Sequence, residues 1–268
     1  MHDRSSSSVR QISVSVSPSA LSHAAPHVQP HVLGDRERRY YIRIALTVYA
    51  VWAVFYEAVG RLAATLPTLD WTTTLDRAIP LTPSFVWVYS FCYIFPFVPL
   101  FVIRDWHRFN RALIAIAVAN LPAFVVFIVF PVAMPRADLG SSASERLLAL
   151  IYTADFHPAV TSFPSLHVIF AWLIFCMCRG GRWGRVGDVM IFTVAAGITI
   201  STLFVKQHII LDAAAGVVWA IMAWKLAGIL YRKLADPHAE PRVALRQVLR
   251  RLMPITLASG MLLFLAMK

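Results

Sequence analysis

The chain has 268 residues, of which 58% are hydrophobic and only 15% are charged, and its mean hydropathy is +0.64. Soluble domains of this size are nearer half apolar and a quarter charged, so these values exclude a single water-soluble core. They also exclude a disordered chain, a collagen and a disulfide scaffold. The composition predicts an all-α, polytopic membrane helix bundle with a single membrane domain.

The N-terminal region is polar and lacks an apolar run long enough for the core of a signal peptide. Nine serines lie among the first 22 residues, and three prolines lie among or after them. Such a composition is typical of disorder. We therefore predict a disordered tail over residues 1–40, which ends in a run rich in arginine.

Six long apolar segments follow the tail, and a shorter one closes the chain. The six cover residues 43–65, 84–103, 112–133, 162–178, 188–205 and 209–231, and the last covers 252–267. A helix needs about 20 residues to cross a hydrocarbon core of about 30 Å, so the pattern predicts six transmembrane helices, of which the fourth and fifth are short. The last run is either a seventh span or an interfacial helix. The membrane domain is predicted over 41–232, followed by a basic cytoplasmic segment and the C-terminal apolar helix over 233–268.

The net charge of +11 comes from 25 lysines and arginines against 14 acidic residues. With the N-terminus in the cytoplasm, six spans place 19 of the 25 basic residues in inner segments and five in outer ones. Cytoplasmic loops carry an excess of this kind. The distribution predicts a cytoplasmic N-terminus, and it accounts for the charge without a nucleic-acid partner.

The histidines are the first chemically informative residues. In the predicted topology, only His157, His167 and His208 lie on the extracytoplasmic side. His208 and Asp212 are four residues apart, which would put them on one helix face, one turn apart. A charged aspartate in a membrane helix is costly and marks a function or a partner. A carboxylate on imidazole Nδ1 leaves Nε2 as a base or nucleophile. The alternative is an interhelical polar contact without chemistry.

The second informative element is the segment from Ser162 to His167. Pro164 suits the first turn of a helix, and Ser162 or Ser165 could cap it. Because the N–H groups at a helix start bind anions, His167 would stand close to such an anion. The alternative is an ordinary capped helix with an interfacial histidine.

The third element combines two prolines with a cation at the end of the third apolar run. Pro131 and Pro135 end the predicted span and present Arg136 at the outer surface. Arginine matches a phosphate with a two-pronged donor geometry, although it could equally extend to lipid head groups. Lys206 has the same two interpretations. Two cations, two histidines, a helix start and a carboxylate suit phosphoryl transfer, which needs charge stabilisation and in-line positioning.

Together these residues resemble the type 2 phosphatidic acid phosphatase superfamily, whose members share a histidine-dependent membrane phosphoesterase core. The family motifs are Lys-x6-Arg-Pro, Pro-Ser-Gly-His and Ser-Arg-x5-His-x3-Asp. The matching residues are Arg136 in the first motif, Pro164-Ser165-Leu166-His167 in the second and Ser201-Thr202-x5-His208-x3-Asp212 in the third. The resemblance covers residues 84–231, which form the motif core of the predicted catalytic domain.

The departures from the motifs point to one branch of the family. Val129 and Ala137 stand at the lysine and proline positions of the first motif, Leu166 replaces glycine, and Thr202 replaces arginine. With Lys206 nearby, the pattern looks like the inositol phosphorylceramide synthase branch, which moves a phosphorylated head group between lipids. By this resemblance Lys206 would supply the charge that is missing at position 202.

The resemblance implies a role for each site residue. His208 is the nucleophile that forms a phosphohistidine, Asp212 orients it, and His167 is the general acid for the leaving group and then the base for the acceptor. The phosphate-binding residues are Arg136, Lys206, Ser165 and Ser201. The family uses no metal and no cofactor. Asp155 and His157 precede the second motif and stay without a role.

Four functions are compatible with the sequence. The first is a lipid phosphate phosphatase, and the second is a phosphotransferase with an alcohol acceptor of the inositol or ceramide type; both would act at the extracytoplasmic face. The third is a metalloenzyme with His157, His167, His208 and Asp212 as ligands. The fourth is a transporter that uses intramembrane charges such as Glu57, although an ion pair with Arg61, one turn later, explains that residue equally well.

Overall fold

The computed structural model describes residues 34–236, 239–240 and 242–251. Across these ranges the chain is helical without β-strands, and an isolated bridge joins Leu69 to Val132. The predicted all-α class is therefore confirmed. Most of the predicted tail and the last apolar run, 252–267, lie outside the described residues.

Ten α-helices lie between residues 35 and 234 of the described chain. They are α1 (Asp35–Ala63), α2 (Thr74–Ala78), α3 (Val86–Tyr89), α4 (Phe91–Ile94), α5 (Pro99–Val102), α6 (Trp106–Val129), α7 (Ala143–Ala154), α8 (Leu166–Cys178), α9 (Gly184–Phe204) and α10 (Ile210–Leu234). Short 3₁₀ turns precede α3 and α5, and residues 242–251 form a further helical segment.

Four helices in the described part are long and apolar enough to cross a membrane, namely α1, α6, α9 and α10. Two shorter apolar segments lie between them in the chain, Pro83–Phe97 and the 13-residue helix α8. These helices fit an integral membrane protein. The sequence predicts six spans. Helix length alone supports four of them, because the helices in the other two apolar segments are shorter than a span requires.

The second apolar segment differs most from its prediction, because residues 84–103 form a series of short helices. Pro96 and Pro99 lack the N–H that an interior helix position must donate, and a 3₁₀ turn over Phe95–Phe97 separates α4 from α5. Between α3 and α4, the Ser90 hydroxyl donates to the Val86 carbonyl at 2.8 Å. This hydrogen bond competes with regular helix geometry. Two aromatic side chains of this broken segment, Tyr89 and Phe95, are buried.

The centre of the bundle is α8, which packs against α9 and α10, while α10 also packs against α6. At Gly216 the two helices α8 and α10 come very close: a Cβ there would lie 2.9 Å from Val168 Cβ and 3.1 Å from Ser165 O. Only a residue without a side chain permits this approach. The contact brings the start of α8 against the start of α10, where the motif residues lie.

Candidate active site

The two motif histidines meet at the N-terminal end of α8. His167 is the second residue of α8, and His208 lies in the loop before α10. His167 Nδ1 is 3.0 Å from His208 Nε2, and the ring centroids are 5.2 Å apart. His208 is only 4% exposed. An imidazole on α8 and one in the loop before α10 thus share one partly buried hydrogen bond.

Asp212 binds His208 through the start of α10 and not along a helix face. Its Oδ2 accepts from His208 Nδ1 at 3.3 Å and from the Ile209 N–H at 3.2 Å. Because α10 begins at Ile210, His208 precedes the helix, and the expected shared helix face is wrong. Asp212 is the third helical residue and reaches back over the helix start, as in a capping box. The carboxylate therefore both caps α10 and holds the imidazole.

The hydrogen-bond partners assign the protons along this network. An ionised carboxylate only accepts, so His208 Nδ1 carries the proton and Nε2 keeps its lone pair. His208 Nε2 must then accept from His167 Nδ1–H. His167 Nε2 accepts in turn from the Tyr89 hydroxyl at 2.8 Å. The result is a four-residue chain of hydrogen bonds, Tyr89–His167–His208–Asp212, in which the lone pair of His208 Nε2 accepts from His167.

Ser165 is the residue that caps α8. Its Oγ accepts from the Val168 N–H at 3.3 Å, and its own N–H donates to the Asp212 carbonyl at 3.3 Å. Of the two serines that the sequence offers as caps, Ser162 instead donates to the Ala159 carbonyl. Pro164 lies before the cap, so its predicted place in the first turn is wrong. The first N–H groups of α8 have no carbonyl partner within the helix, and they lie beside the histidine pair.

Arg136 reaches the site from the extended segment after α6. Its guanidinium forms an ion pair with Asp155, donates to the Lys206 carbonyl at 3.3 Å, and lies 4.5 Å from the centre of the Tyr152 ring. The segment is held by bonds between Leu69 and the chain around Val132. Asp155 therefore has a definite place in the site, as the partner of its arginine.

Lys206 connects the segment between α1 and α3 to the turn that carries His208. Its backbone has a φ of 51°, the left-handed region that glycine or asparagine usually occupies after a helix. Its ammonium donates to the carbonyls of Ile79 and, at 2.8 Å, Asp76. Burial lowers the pKa of Lys206, and the charge of Asp76 opposes that shift. The ammonium of Lys206 therefore binds two backbone carbonyls, one on α2 and one directly after it.

Asp76 completes the same junction from the other side. Its carboxylate accepts from the Ile210 N–H at 2.7 Å, and so caps α10 from a distant part of the chain. Burial alone would raise the pKa of Asp76, but hydrogen bonds from the N–H groups of Ile210 and Thr73 and the charge of Lys206 lower it below its ordinary value. Lys206 thus also has a carboxylate in its surroundings.

Ser201 is fully buried in α9, and its hydroxyl donates to the Ile198 carbonyl at 2.8 Å. The next residue, Thr202, contributes through its backbone: its carbonyl accepts from the N–H groups of Gln207 and His208 at 2.9 and 3.2 Å. This end of the third motif therefore shapes the loop that presents His208. The hydroxyl hydrogen of Ser201 is already used within its own helix.

A cavity of about 340 Å³ opens beside His167. Its walls carry eight aromatic rings: Tyr49, Trp52, Tyr56, Tyr89, Tyr93, Phe95, Phe156 and Phe170. Asp155 and Gln207 supply polar groups to the lining. Gln207 is 4% exposed, and its Nε2 has no hydrogen-bond partner among the described residues. A buried amide donor without a partner is costly, so this position is suited to a ligand oxygen.

The cavity continues into a narrow apolar groove along α1 and α8. Five residues line both spaces: Tyr49, Trp52, Pro96, Phe170 and Ile174. The groove walls beyond them are almost entirely aliphatic or aromatic. A ligand with a polar end at His167 and a long apolar body fits this arrangement.

A family model of the PAP2 superfamily matches residues 64–226, which is more than half of the chain and includes both histidines. The chain belongs to the PAP2 superfamily. No curated protein and no solved structure matches it. Membership indicates a membrane enzyme of the lipid phosphatase or phosphotransferase type.

Two residues of this PAP2 protein take part in the site without a signal in the sequence. Tyr89 lies in an apolar run among other aromatic residues, and nothing in its spacing connects it to His167. Gln207 is adjacent to His208, but its burial in the cavity depends on the left-handed turn at Lys206. Asp155 precedes the second motif in the chain, which places it near the site without giving it a role.

The other sequence interpretations can be compared with the same PAP2 site. In the described part of the chain, no three side chains of histidine, cysteine, aspartate or glutamate come together in a metal-binding arrangement. Glu57 and Arg61 form an ion pair of 2.7 Å on one face of α1, and both side chains are more than half exposed. That pair has the geometry of an ordinary surface contact between successive helical turns.

Proposed function

We propose that this PAP2 protein transfers a phosphorylated head group from one lipid to an alcohol acceptor through a phosphohistidine. When water replaces the alcohol, the same chemistry hydrolyses a lipid phosphate. The observation that carries the proposal is the buried chain Tyr89–His167–His208–Asp212, in which one imidazole presents a lone pair and the other presents a proton. In-line phosphoryl transfer needs this pair of groups.

In the first step His208 Nε2 attacks phosphorus, and the bond from phosphorus to the leaving oxygen breaks. His167, which takes up a second proton when its ring leaves His208, gives one proton to that oxygen, which departs as an alcohol, and the His167 ring becomes neutral. Asp212 stabilises the positive charge that develops on the His208 ring, because its carboxylate accepts from Nδ1. The product of this step is phospho-His208 with the head group attached.

In the second step the acceptor hydroxyl attacks the phosphorus of phospho-His208. His167 removes the hydroxyl proton, the phosphorus–nitrogen bond breaks, and free His208 is restored. Tyr89 can hold His167 Nε2 in both protonation states of the ring, since a hydroxyl is both donor and acceptor. The cycle therefore returns every proton to its starting atom.

Substrate binding requires the two rings to separate. With 3.0 Å between His167 Nδ1 and His208 Nε2, no phosphorus atom fits between them, because it needs about 3 Å on each side. His208 is held by Asp212 and by the backbone of its loop. His167 lines the open cavity, so we propose that a phosphate arriving there displaces the His167 ring.

Besides Lys206, three groups are proposed to hold the phosphate oxygens: Arg136, the Ser165-capped start of α8, and the unpartnered amide of Gln207. Each supplies N–H donors from a different element beside the cavity. Lys206 and Ser201, which the family resemblance also assigns to the phosphate, have protein partners in this structure. For Lys206 we propose a direct contact through its remaining N–H, and for Ser201 support of the loop that carries His208.

The charge around the site favours a phosphodiester over a phosphomonoester. Arg136 is paired with Asp155, and Lys206 lies near Asp76. The cations of two family positions are replaced by neutral Val129 and Thr202. A dianionic monoester would be poorly compensated here, whereas a diester carries a single negative charge. This supports head-group transfer between lipids, as in the inositol phosphorylceramide synthase-like branch, with hydrolysis of a lipid phosphate as the second candidate.

The proposed topology places this site at the extracytoplasmic face. Four helices span by length, and we propose that the broken segment Pro83–Phe97 with α5, and α8, cross as the remaining two of six spans. The 19-to-5 distribution of basic residues then puts the N-terminus in the cytoplasm. The catalytic domain is proposed to extend over 41–232.

The proposal is tested with purified protein, a labelled phosphodiester lipid and candidate alcohol acceptors. We expect His208→Ala to lower transfer and hydrolysis by at least about 10³-fold, and an alkali-stable, acid-labile label on histidine to be present in the wild type and absent from the variant. His157→Ala is the matched control, because this exposed histidine lies on the same side outside the hydrogen-bonded chain. Equal turnover of His208→Ala and wild type would refute the phosphohistidine mechanism.

A further inference from the structure

A second polar cavity, of about 240 Å³, lies at the end of the bundle opposite the histidine pair. Three arginines from separate parts of the chain line it: Arg38 in the first turn of α1, Arg104 before α6 and Arg182 between α8 and α9. One carboxylate, Asp35, lines it with them. The lining therefore carries a net positive charge.

The positive charge of this cavity is not neutralised within the described part of the chain. None of the three arginines has a carboxylate within ion-pair distance there, since the ion pairs formed involve other residues. Neighbouring Arg108 behaves differently, because its guanidinium donates to the carbonyls of Met177 and Arg179. Three like charges around one cavity repel one another, and an anion bound between them would relieve that repulsion.

The rest of the lining is apolar, and it runs from the buried Ile103 to the exposed Phe101. Phe101 is 57% exposed, and Leu100 and Ile103 line both this cavity and the apolar groove along α1 and α8. A small soluble anion would gain nothing from these side chains. A lipid would place its head group among the arginines and its chain along this apolar surface.

We propose that this cavity binds an anionic phospholipid of the leaflet in which the arginines lie. The guanidinium groups of Arg38, Arg104 and Arg182 hold the lipid phosphate, for which their forked donors are suited. The acyl chain runs over Leu100 and Phe101. One lipid would thus tie together three chain segments that meet around the cavity, and it would stabilise the bundle. The site is independent of the histidine chemistry.

The experiment compares thermal unfolding of the full chain in lipid nanodiscs of phosphatidylglycerol and of phosphatidylcholine. Because a ligand that binds only the folded state raises Tm, we expect phosphatidylglycerol to raise it by about 3–8 °C. Two triple variants each remove three exposed arginines: R38Q/R104Q/R182Q inside the lining, and R39Q/R185Q/R232Q outside it. The first should abolish the rise, and the second should retain it.

Several outcomes would overturn the proposal. Equal loss of the rise in both triple variants would mean diffuse attraction between basic loops and an anionic surface. The same rise with inorganic phosphate or glycerol phosphate in phosphatidylcholine would mean a soluble-anion site without a role for the chain. If the lining variant also unfolds earlier in phosphatidylcholine, its single variants are compared by native mass spectrometry. Undiminished retention of phosphatidylglycerol by all three would then refute the site.

Discussion

The two halves of the active site differ in how their polar groups are satisfied. In the histidine half, Tyr89, His167, His208 and Asp212 bond to one another in sequence and are assembled before any substrate arrives. In the phosphate-binding half, Arg136 bonds to protein acceptors that a phosphate would have to compete with or join. In the histidine half only the His167–His208 bond has to open under the proposed mechanism, whereas in the other half the charge partners of Arg136 have to change when a substrate binds.

This difference has a consequence for what substitutions should do. Substitutions in the histidine half should lower the rate of the chemical step, because the hydrogen bonds of this half already exist in the resting protein. Changes in the phosphate-binding half should alter substrate choice as well as rate, because they change how much positive charge reaches the phosphate. The variants below separate these two effects, from the largest expected loss to the smallest.

Asp212→Asn should lower kcat/KM by about 10³-fold. With its amide oxygen in the place of Oδ2, an asparagine still accepts from the Ile209 N–H and from His208 Nδ1, so the cap and the fold are retained. A neutral acceptor, however, no longer stabilises the positive charge that develops on the His208 ring. Turnover and alkali-quenched labelling of the enzyme measure the loss, with Asp70→Asn, an exposed carboxylate, as the control. Activity within twofold of wild type would mean that Asp212 only caps its helix.

Arg136→Gln should lower turnover by about 10²-fold, the typical effect of removing one donor that stabilises transition-state charge. Asp155→Asn should behave differently, since it leaves Arg136 in place without its neutralising partner. We expect this variant to raise the ratio of phosphomonoester to phosphodiester turnover. The ratio is measured with paired lipid substrates, and Arg146→Gln serves as an exposed control. An unchanged ratio would remove the charge argument for a diester substrate.

How far the sequence predicts this molecule depends on which forces act locally. The helical class, the end of α6 near Pro131 and the meeting of His167 with His208 follow from hydropathy, proline chemistry and motif spacing. The capping contact of Asp212 was harder to predict, because a four-residue spacing fits a helix face and a helix start equally well. The carbonyl partners of Lys206 depend on how the segment between α1 and α3 folds against the site. No local sequence pattern encodes that long-range contact.

Gln207→Leu should lower turnover by about 10- to 100-fold, the effect of losing a hydrogen bond to a charged group. The same change should leave Tm unchanged or raise it, because it removes a buried amide donor that has no partner. A loss of activity without a loss of stability separates a substrate contact from a structural one. Lower stability with unchanged activity would show that Gln207 supports the loop and does not bind substrate.

Tyr89→Phe gives the smallest expected effect and tests whether the chain of bonds extends beyond the motifs. Removing the hydroxyl leaves His167 Nε2 without its partner, so the ring can turn, and kcat should fall by about 5- to 10-fold with KM unchanged. Tyr93→Phe is the matched control, since Tyr93 lines the same cavity and contacts the Tyr89 ring edge-on. A change in the pH profile of kcat for Tyr89→Phe alone would identify Tyr89 as a positioning residue for the general acid. If both variants lose activity equally, the aromatic wall acts through packing, and the histidine half ends at His167.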